Sequence, residues 1–152
     1  MMKLRITVAL FAALSTLVGA AETKKAAKPI IKKPFLPLES AKTMRVPKGF
    51  NVTLFAAEPD IKQPIGFCID DRGRLWVAEA NNYPDKKAGK NDRIIILEDT
   101  DGDGTHDKRI VFYDKLEYIC GIEVGFGGVW VMSLPNFYFI PDKNYDGVPD
   151  GE

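Results

Sequence analysis

Two stretches of nine residues carry the chain's densest potential for chemistry: Asp99-Thr-Asp101-Gly-Asp103-Gly104-Thr105-His106-Asp107 and Asp142-Lys-Asn144-Tyr-Asp146-Gly147-Val148-Pro149-Asp150. Both read D-x-[DN]-x-D-G-x-x-D, and they start 43 residues apart. Carboxylates crowded into such a span repel one another unless something cationic sits among them. Alternate oxygen side chains around a glycine-permitted turn can wrap a hard ion. Calcium is the expected ion, held in the first loop by Asp99, Asp101, Asp103 and Asp107 with the backbone carbonyl of Thr105. The matching set in the second loop is Asp142, Asn144, Asp146, the carbonyl of Val148, and Asp150. The first loop resembles an EF-hand loop up to its ninth position, but Ile110 stands where the bidentate Glu would be. The second is the poorer match, with Asn144 at its third position and Pro149 before its last. An ordinary Asp/Gly turn without an ion competes with this reading for either loop alone, and repetition in register weighs against it. His106, the only histidine, is expected to face solvent and to have no catalytic role.

Strands must position these loops. Short apolar runs separated by Gly, Pro, Asn and Asp leave no room for three helical turns, so the pattern predicts an all-β fold without helices. A leading strand is expected over 51–57, then strands over 67–69, 75–79, 93–97 and 110–113, with the first acidic loop joining the last two. The order then restarts with 122–124, 129–133 and 137–140, followed by the second loop. Trp76-Val77 corresponds to Trp130-Val131. These tryptophans lie 54 residues apart, more than the loops do, because the segment around 81–92 is an insertion. Four-stranded units of this length with a Trp in each are the mark of a β-propeller blade. The expectation is a partial propeller: about one complete blade plus most of a second, the amino-terminal part of a longer protein. Trp76, Trp130, Phe67, Phe126 and Phe137 are expected to pack between the blade sheets.

The amino terminus reads as targeting. A basic start with Lys3 and Arg5, an uncharged apolar run over 6–18 and small residues at 19–21 form a signal peptide over 1–21, implying export to the periplasm or cell exterior. The apolar run is short for a membrane span, so any membrane attachment would be through an uncleaved signal segment. Residues 22–45 are rich in Lys, Ala and Pro and predict an extended linker; the propeller part is placed at 46–152. The whole sequence has 21 basic and 21 acidic residues, and loss of Lys3 and Arg5 leaves a formal charge of −2. The basic residues gather in the linker and the acidic ones in the loops, so nothing resembles a nucleic-acid groove. Cys68 and Cys120, the only cysteines, are either a disulfide, if the fold brings them together, or two small buried hydrophobes. The stretch Glu79, Asn81, Asn82 and Tyr83 follows a predicted inner strand, where polar side chains at a propeller mouth could meet a ligand; a solvated loop is the plainer alternative. No nucleophile elbow, haem-attachment motif or phosphate-binding glycine loop is present.

Three segments in order, Gly-Phe-Asn-Val-Thr-Leu-Phe-Ala-Ala-Glu-Pro (49–59), Asp-Asp-Arg-Gly-Arg-Leu-Trp-Val-Ala-Glu (70–79) and Leu-Glu-Asp-Thr-Asp-Gly-Asp-Gly-Thr-His-Asp-Lys (97–108), support a resemblance. The chain resembles the membrane-bound dehydrogenase propellers of planctomycetes and their relatives, which are similar to the soluble glucose and sorbosone dehydrogenases that use pyrroloquinoline quinone. The resemblance implies an exported propeller, often followed by a c-type cytochrome module, that oxidises a sugar or alcohol. It supplies no counterpart here for the histidine base or the quinone-binding basic residues. The alternative is a non-catalytic, calcium-stabilised propeller that binds a glycan or a protein partner.

Overall fold

The structure, a computed structural model, describes residues 34–84 and 91–151. The expected signal peptide and the first half of the expected linker lie outside these residues. The described part is mostly β: one short helix, α1 (Pro37–Thr43), precedes seven strands, β1 (Pro64–Ile69), β2 (Leu75–Glu79), β3 (Asp92–Glu98), β4 (Lys108–Leu116), β5 (Ile119–Val124), β6 (Gly128–Ser133) and β7 (Asn136–Pro141). They form two antiparallel meanders, a four-stranded sheet in the order β1-β2-β3-β4 and a three-stranded sheet in the order β5-β6-β7. Every strand expected from 67 onward is present, several of them longer than expected, by up to five residues in β4.

Two expectations fail before β1. The helix occupies sequence expected to be an extended linker. Pro37 opens it with its φ already suited to a helix, Glu39 reaches back to accept the Leu36 N–H at 3.2 Å, and Ala41 is buried. The segment 51–57, expected as a strand, joins no ladder. Its residues Phe55 and Ala56, with Ile61, instead lie flat on the face of the first sheet formed by Val77, Ile95 and Leu97. β-Propensity describes a residue's fit to a half-buried surface, and here that surface is a sheet face and not a neighbouring strand.

The pairing register repeats between sheets. Trp76 pairs with Ile96 across β2 and β3, and Asp99 follows Ile96 by three residues. Trp130 pairs with Phe139 across β6 and β7, and Asp142 follows Phe139 by three. The first sheet packs its Trp76, Ala78, Ile94, Ile96 and Phe112 face against Val129, Val131 and Ile140 of the second. Trp76 is 1% exposed, with the Phe112 ring edge-on at 4.9 Å. The opposite face of the second sheet carries Trp130, Met132, Phe137 and Phe139. There Phe137 remains 61% exposed and stacks on Trp130 at 5.5 Å.

Only Trp76 therefore packs between the sheets as expected of the five aromatic residues. Phe67 is exposed on edge strand β1, Phe137 belongs to the uncovered face, and Phe126 stands 95% exposed at φ 58° in the β5–β6 turn. Period-two alternation tells which residues share a face, but not which face is covered.

Asp92, fully buried at the start of β3, ties the two sheets. Its Oδ1 accepts the Asn82 N–H at 2.8 Å and its Oδ2 accepts the Ile119 N–H at 2.9 Å. Replacing Asp92 with Ala leaves two buried amides without an acceptor and should cost roughly 2–4 kcal/mol, read as a lowered urea midpoint. Asp92→Asn should cost less, because one acceptor oxygen survives.

Candidate metal centre

In both acidic loops, the backbone turns onto the first aspartate, with three amides reaching the Asp99 carboxylate and one reaching that of Asp142. Positive φ falls at the fourth and sixth positions of each: Gly102 (78°) and Gly104 (89°), then Tyr145 (59°) and Gly147 (82°). These turns aim amides inward. Gly104 donates to Asp99 at 2.8 Å and Gly147 to Asp142 at 3.2 Å. Asp103 N–H donates to Asp101 at 3.2 Å, and Asp146 N–H to Asn144 at 3.3 Å. Thr105 N–H donates to Asp103, and Val148 N–H to Asp146, both at 2.8 Å. The ninth residue closes each loop. Asp107 accepts from Thr100 N–H at 3.1 Å, and Asp150 from Lys143 N–H. The same residue's own N–H returns to the strand before the loop, Asp107 to Glu98 O at 3.0 Å and Asp150 to Pro141 O at 2.8 Å. The sequence repeat is thus largely a repeat of amide hydrogen bonds; the loops part at the fourth position, where Gly102 N–H donates to Asp99 Oδ1 at 2.7 Å but Tyr145 N–H donates to the Asp142 backbone carbonyl at 3.4 Å.

The donor set of the first loop suits a hard cation. Asp99, Asp101 and Asp107 each offer an oxygen within 4.8 Å of the others. All three are anionic oxygens, the ligand type calcium prefers. The Gly104 N–H, with further donation from the Gly102 and Asp103 N–H groups, holds the Asp99 carboxyl below its ordinary 3.8. Thr100 adds its hydroxyl to Asp107 at 2.8 Å, a contribution the motif alone does not reveal.

His106 is not turned to solvent as expected: its side chain is 12% exposed. Nδ1 lies 2.8 Å from Phe55 O, which can only accept, so Nδ1 carries the hydrogen. The backbone N–H of His106 reaches the same carbonyl at 3.1 Å, and Nε2 faces Asp60 at 3.7 Å. His106 therefore fastens the first loop to the 50–60 segment that covers the sheet face.

The expected mouth residues are placed apart. Glu79 is fully buried; its carboxylate accepts the Lys62 N–H at 2.6 Å and is paired with Arg93, with Arg109 at 3.7 Å. Asn82 is buried beside Asp92, and Asn81 donates to Asn91 O at 3.0 Å. Tyr83 alone of the four is widely exposed, its carbonyl taking Gln63 Nε2 at 3.1 Å. Cys68 and Cys120 are free thiols. Burial pushes the Cys68 thiol up to about 11, so it is protonated and unreactive near neutral pH.

A second network went unseen in the sequence. Asp70 Oδ1 accepts the Arg72 and Arg74 N–H groups at 3.0 and 2.9 Å, while its Oδ2 takes Arg74 Nε at 2.7 Å and the Trp76 indole at 2.9 Å. Burial pushes the Asp70 carboxyl up, but these donors and the Arg74 charge outweigh it and hold it below 3.8. Asp-Asp-Arg-Gly-Arg marks the turn; nothing local shows that both arginines reach Tyr145 O, at 3.0 and 3.2 Å.

Because the folded-state value of Asp99 is depressed, its bonds are intact above 3.8 and break as pH falls through that lower value. In metal-free protein, the Gly102 and Gly104 amide resonances should titrate with a midpoint below 3.8. The Asp99→Asn variant should show no such step by NMR.

No curated protein and no solved structure matches the chain. Residues 36–152 match DUF7133, a domain of unknown function. That span takes in α1, both sheets and both acidic loops, and the protein accordingly belongs to the DUF7133 family.

Proposed function

We propose that this chain is an exported, calcium-stabilised β-propeller module whose acidic loops clamp successive blades and whose role is binding, of a glycan or a protein partner. One observation carries the proposal: the two loops share their positive-φ positions and the amide-to-side-chain hydrogen bonds donated at their fifth, sixth and seventh positions. A chance Asp/Gly turn has no reason to recur at the same place relative to a Trp-bearing strand pair. Asp99, Asp101 and Asp107, with Asp103 and the Thr105 carbonyl beside them, would hold the first ion; Asp142, Asn144, Asp146, Asp150 and the Val148 carbonyl would hold the second. The bound ion supplies charge neutralisation and cross-links the two ends of each turn. Blade stacking draws support from the head-to-tail relation of the sheets, the Trp-bearing face of one against the Val/Ile face of the next.

A second reading is favoured by the ordered run of motifs at 49–59, 70–79 and 97–108. On that reading the module contributes to a pyrroloquinoline-quinone-dependent oxidation of a sugar or alcohol, with electrons leaving to a c-type cytochrome module. The one histidine is committed to Phe55 and Asp60, so a catalytic base for that reaction would have to come from other residues. Quinone-dependent dye reduction by calcium-loaded protein would establish this reading, and its absence across sugars and alcohols would remove it.

An ion that binds only the folded form stabilises by mass action, about 2.7 kcal/mol at a hundred times its Kd. Calcium should therefore raise the thermal midpoint by several degrees and chelator should reverse the gain. The pair Asp101→Ala and Asp103→Ala should remove the first loop's share. A melting curve indifferent to calcium and chelator contradicts the proposal.

A further inference from the structure

The second acidic loop, the poorer match in sequence, is the one whose first aspartate the fold buries. Asp142 is 1% exposed, whereas its counterpart Asp99 is half-buried; the later acidic positions of both loops are exposed. Asp142 Oδ2 accepts the Gly147 N–H at 3.2 Å, but its Oδ1 is buried with no hydrogen-bond partner. A buried carboxylate oxygen in that state is costly unless a cation or donor reaches it. Asp142 also stands first in the loop, where Asp99 belongs to the three-carboxylate cluster of the other copy.

The same loop is seated on the first sheet. A Cβ at Gly147 would meet the Ile96 and Ile110 side chains at 3.2 Å. Tyr145 O takes both arginines of the Asp70 turn, and Arg72 lies over the Tyr145 ring at 5.3 Å. Tyr145 holds φ 59°, a conformation uncommon for a bulky non-glycine residue. The Asp142 N–H is bonded to Gly127 O at 2.9 Å, fixing the loop to the β5–β6 turn. The loop 142–150 is therefore one of the joints between the two sheets, beside the apolar core and Asp92.

We infer that the loop 142–150 is a divalent-cation site in which Asp142 Oδ1 is a ligand, and that its occupancy locks the second sheet onto the Arg72–Arg74 turn of the first. This inference rests on the calcium reading above and assigns to one of its two loops the inter-sheet joint. Asn144, Asp146, Asp150 and the Val148 carbonyl complete an oxygen set of lower charge than that of the first loop. Arg74 is occupied by Asp70 through Nε and by Tyr145 O through Nη1, while its Nη2 is likewise buried without a partner. A water bonded to Asp142 Oδ1 is the rival to a cation: it would satisfy a hydrogen bond but leave the Asp142 charge without a ligand.

The test uses the full chain, calcium alone as the ligand, calorimetry for stoichiometry and hydrogen exchange at the Arg72, Gly73 and Arg74 amides. Wild type should bind two ions, and calcium at ten times the second site's Kd should slow exchange at these amides by about tenfold. Asp142→Asn should reduce the stoichiometry to one and abolish the slowing, whereas Asp101→Asn should lose the other ion and keep it. Asp146→Asn, at an exposed position, repeats the test without altering a buried group should Asp142→Asn fail to fold. Calcium binding confined to the first loop, with Asp142→Asn and Asp146→Asn indistinguishable from wild type, overturns this inference and leaves the calcium function standing. No calcium binding at either loop overturns both.

Discussion

Carboxylates crowded into one tight turn must be neutralised from nearby, and both acidic loops do so first with their own backbone. Left-handed φ at the fourth and sixth positions rotates successive N–H groups onto side-chain oxygens. Glycine occupies three of these four positions because a Cβ is disfavoured there. Tyr145 is the exception, and its carbonyl and ring both serve the contact with Arg72. Amide donation meets much of the demand for hydrogen bonds, but adds no full positive charge. The remaining negative potential is what makes a divalent cation the natural complement of this geometry.

The loops also organise the sheets beyond their own turns. The first is tied through His106 to the segment that covers the Val77, Ile95 and Leu97 face. The second sits on Ile96 and Ile110, whose strands the first loop connects. Buried polar groups supply the other joints: Asp92 between the sheets, Glu79 between β2, β3 and the Lys62 backbone, and Asp70 beneath Trp76. Their acceptor oxygens are met by donors, so these joints rigidify the apolar stack. Asp142 Oδ1 and the Arg74 Nη2 atom stand apart from that rule.

Much of this was readable from local pattern. Alternating apolar residues bounded by Gly and Asp located all seven strands, and the repeated D-x-[DN]-x-D-G located two turns that share the amide bonds of their fifth to seventh positions. What escaped was non-local. Pro37–Thr43 is a helix because Pro, a back-bonded Glu39 and one buried alanine suffice for two turns, too little for a periodic signal. Phe55 and Ala56 have strand-like character but cover a sheet face, and Glu79 resembles a mouth residue but lies beneath two arginines. The weights of the two loops also changed: ligand count in the sequence favours the first, whereas burial, invisible in a motif, draws attention to the second.

The central claim, that matching acidic turns hold cations at equivalent places in a repeated β unit, is tested most directly by anomalous diffraction from crystals of the full chain soaked in terbium. The account predicts one peak in each loop, about 2.3–2.6 Å from carboxylate oxygens, the distance typical of calcium-like coordination. At Asp99 and Asp142 the peaks should occupy the same position relative to the first aspartate. Loops without peaks, or ions bound only at unrelated surface carboxylates, would contradict it.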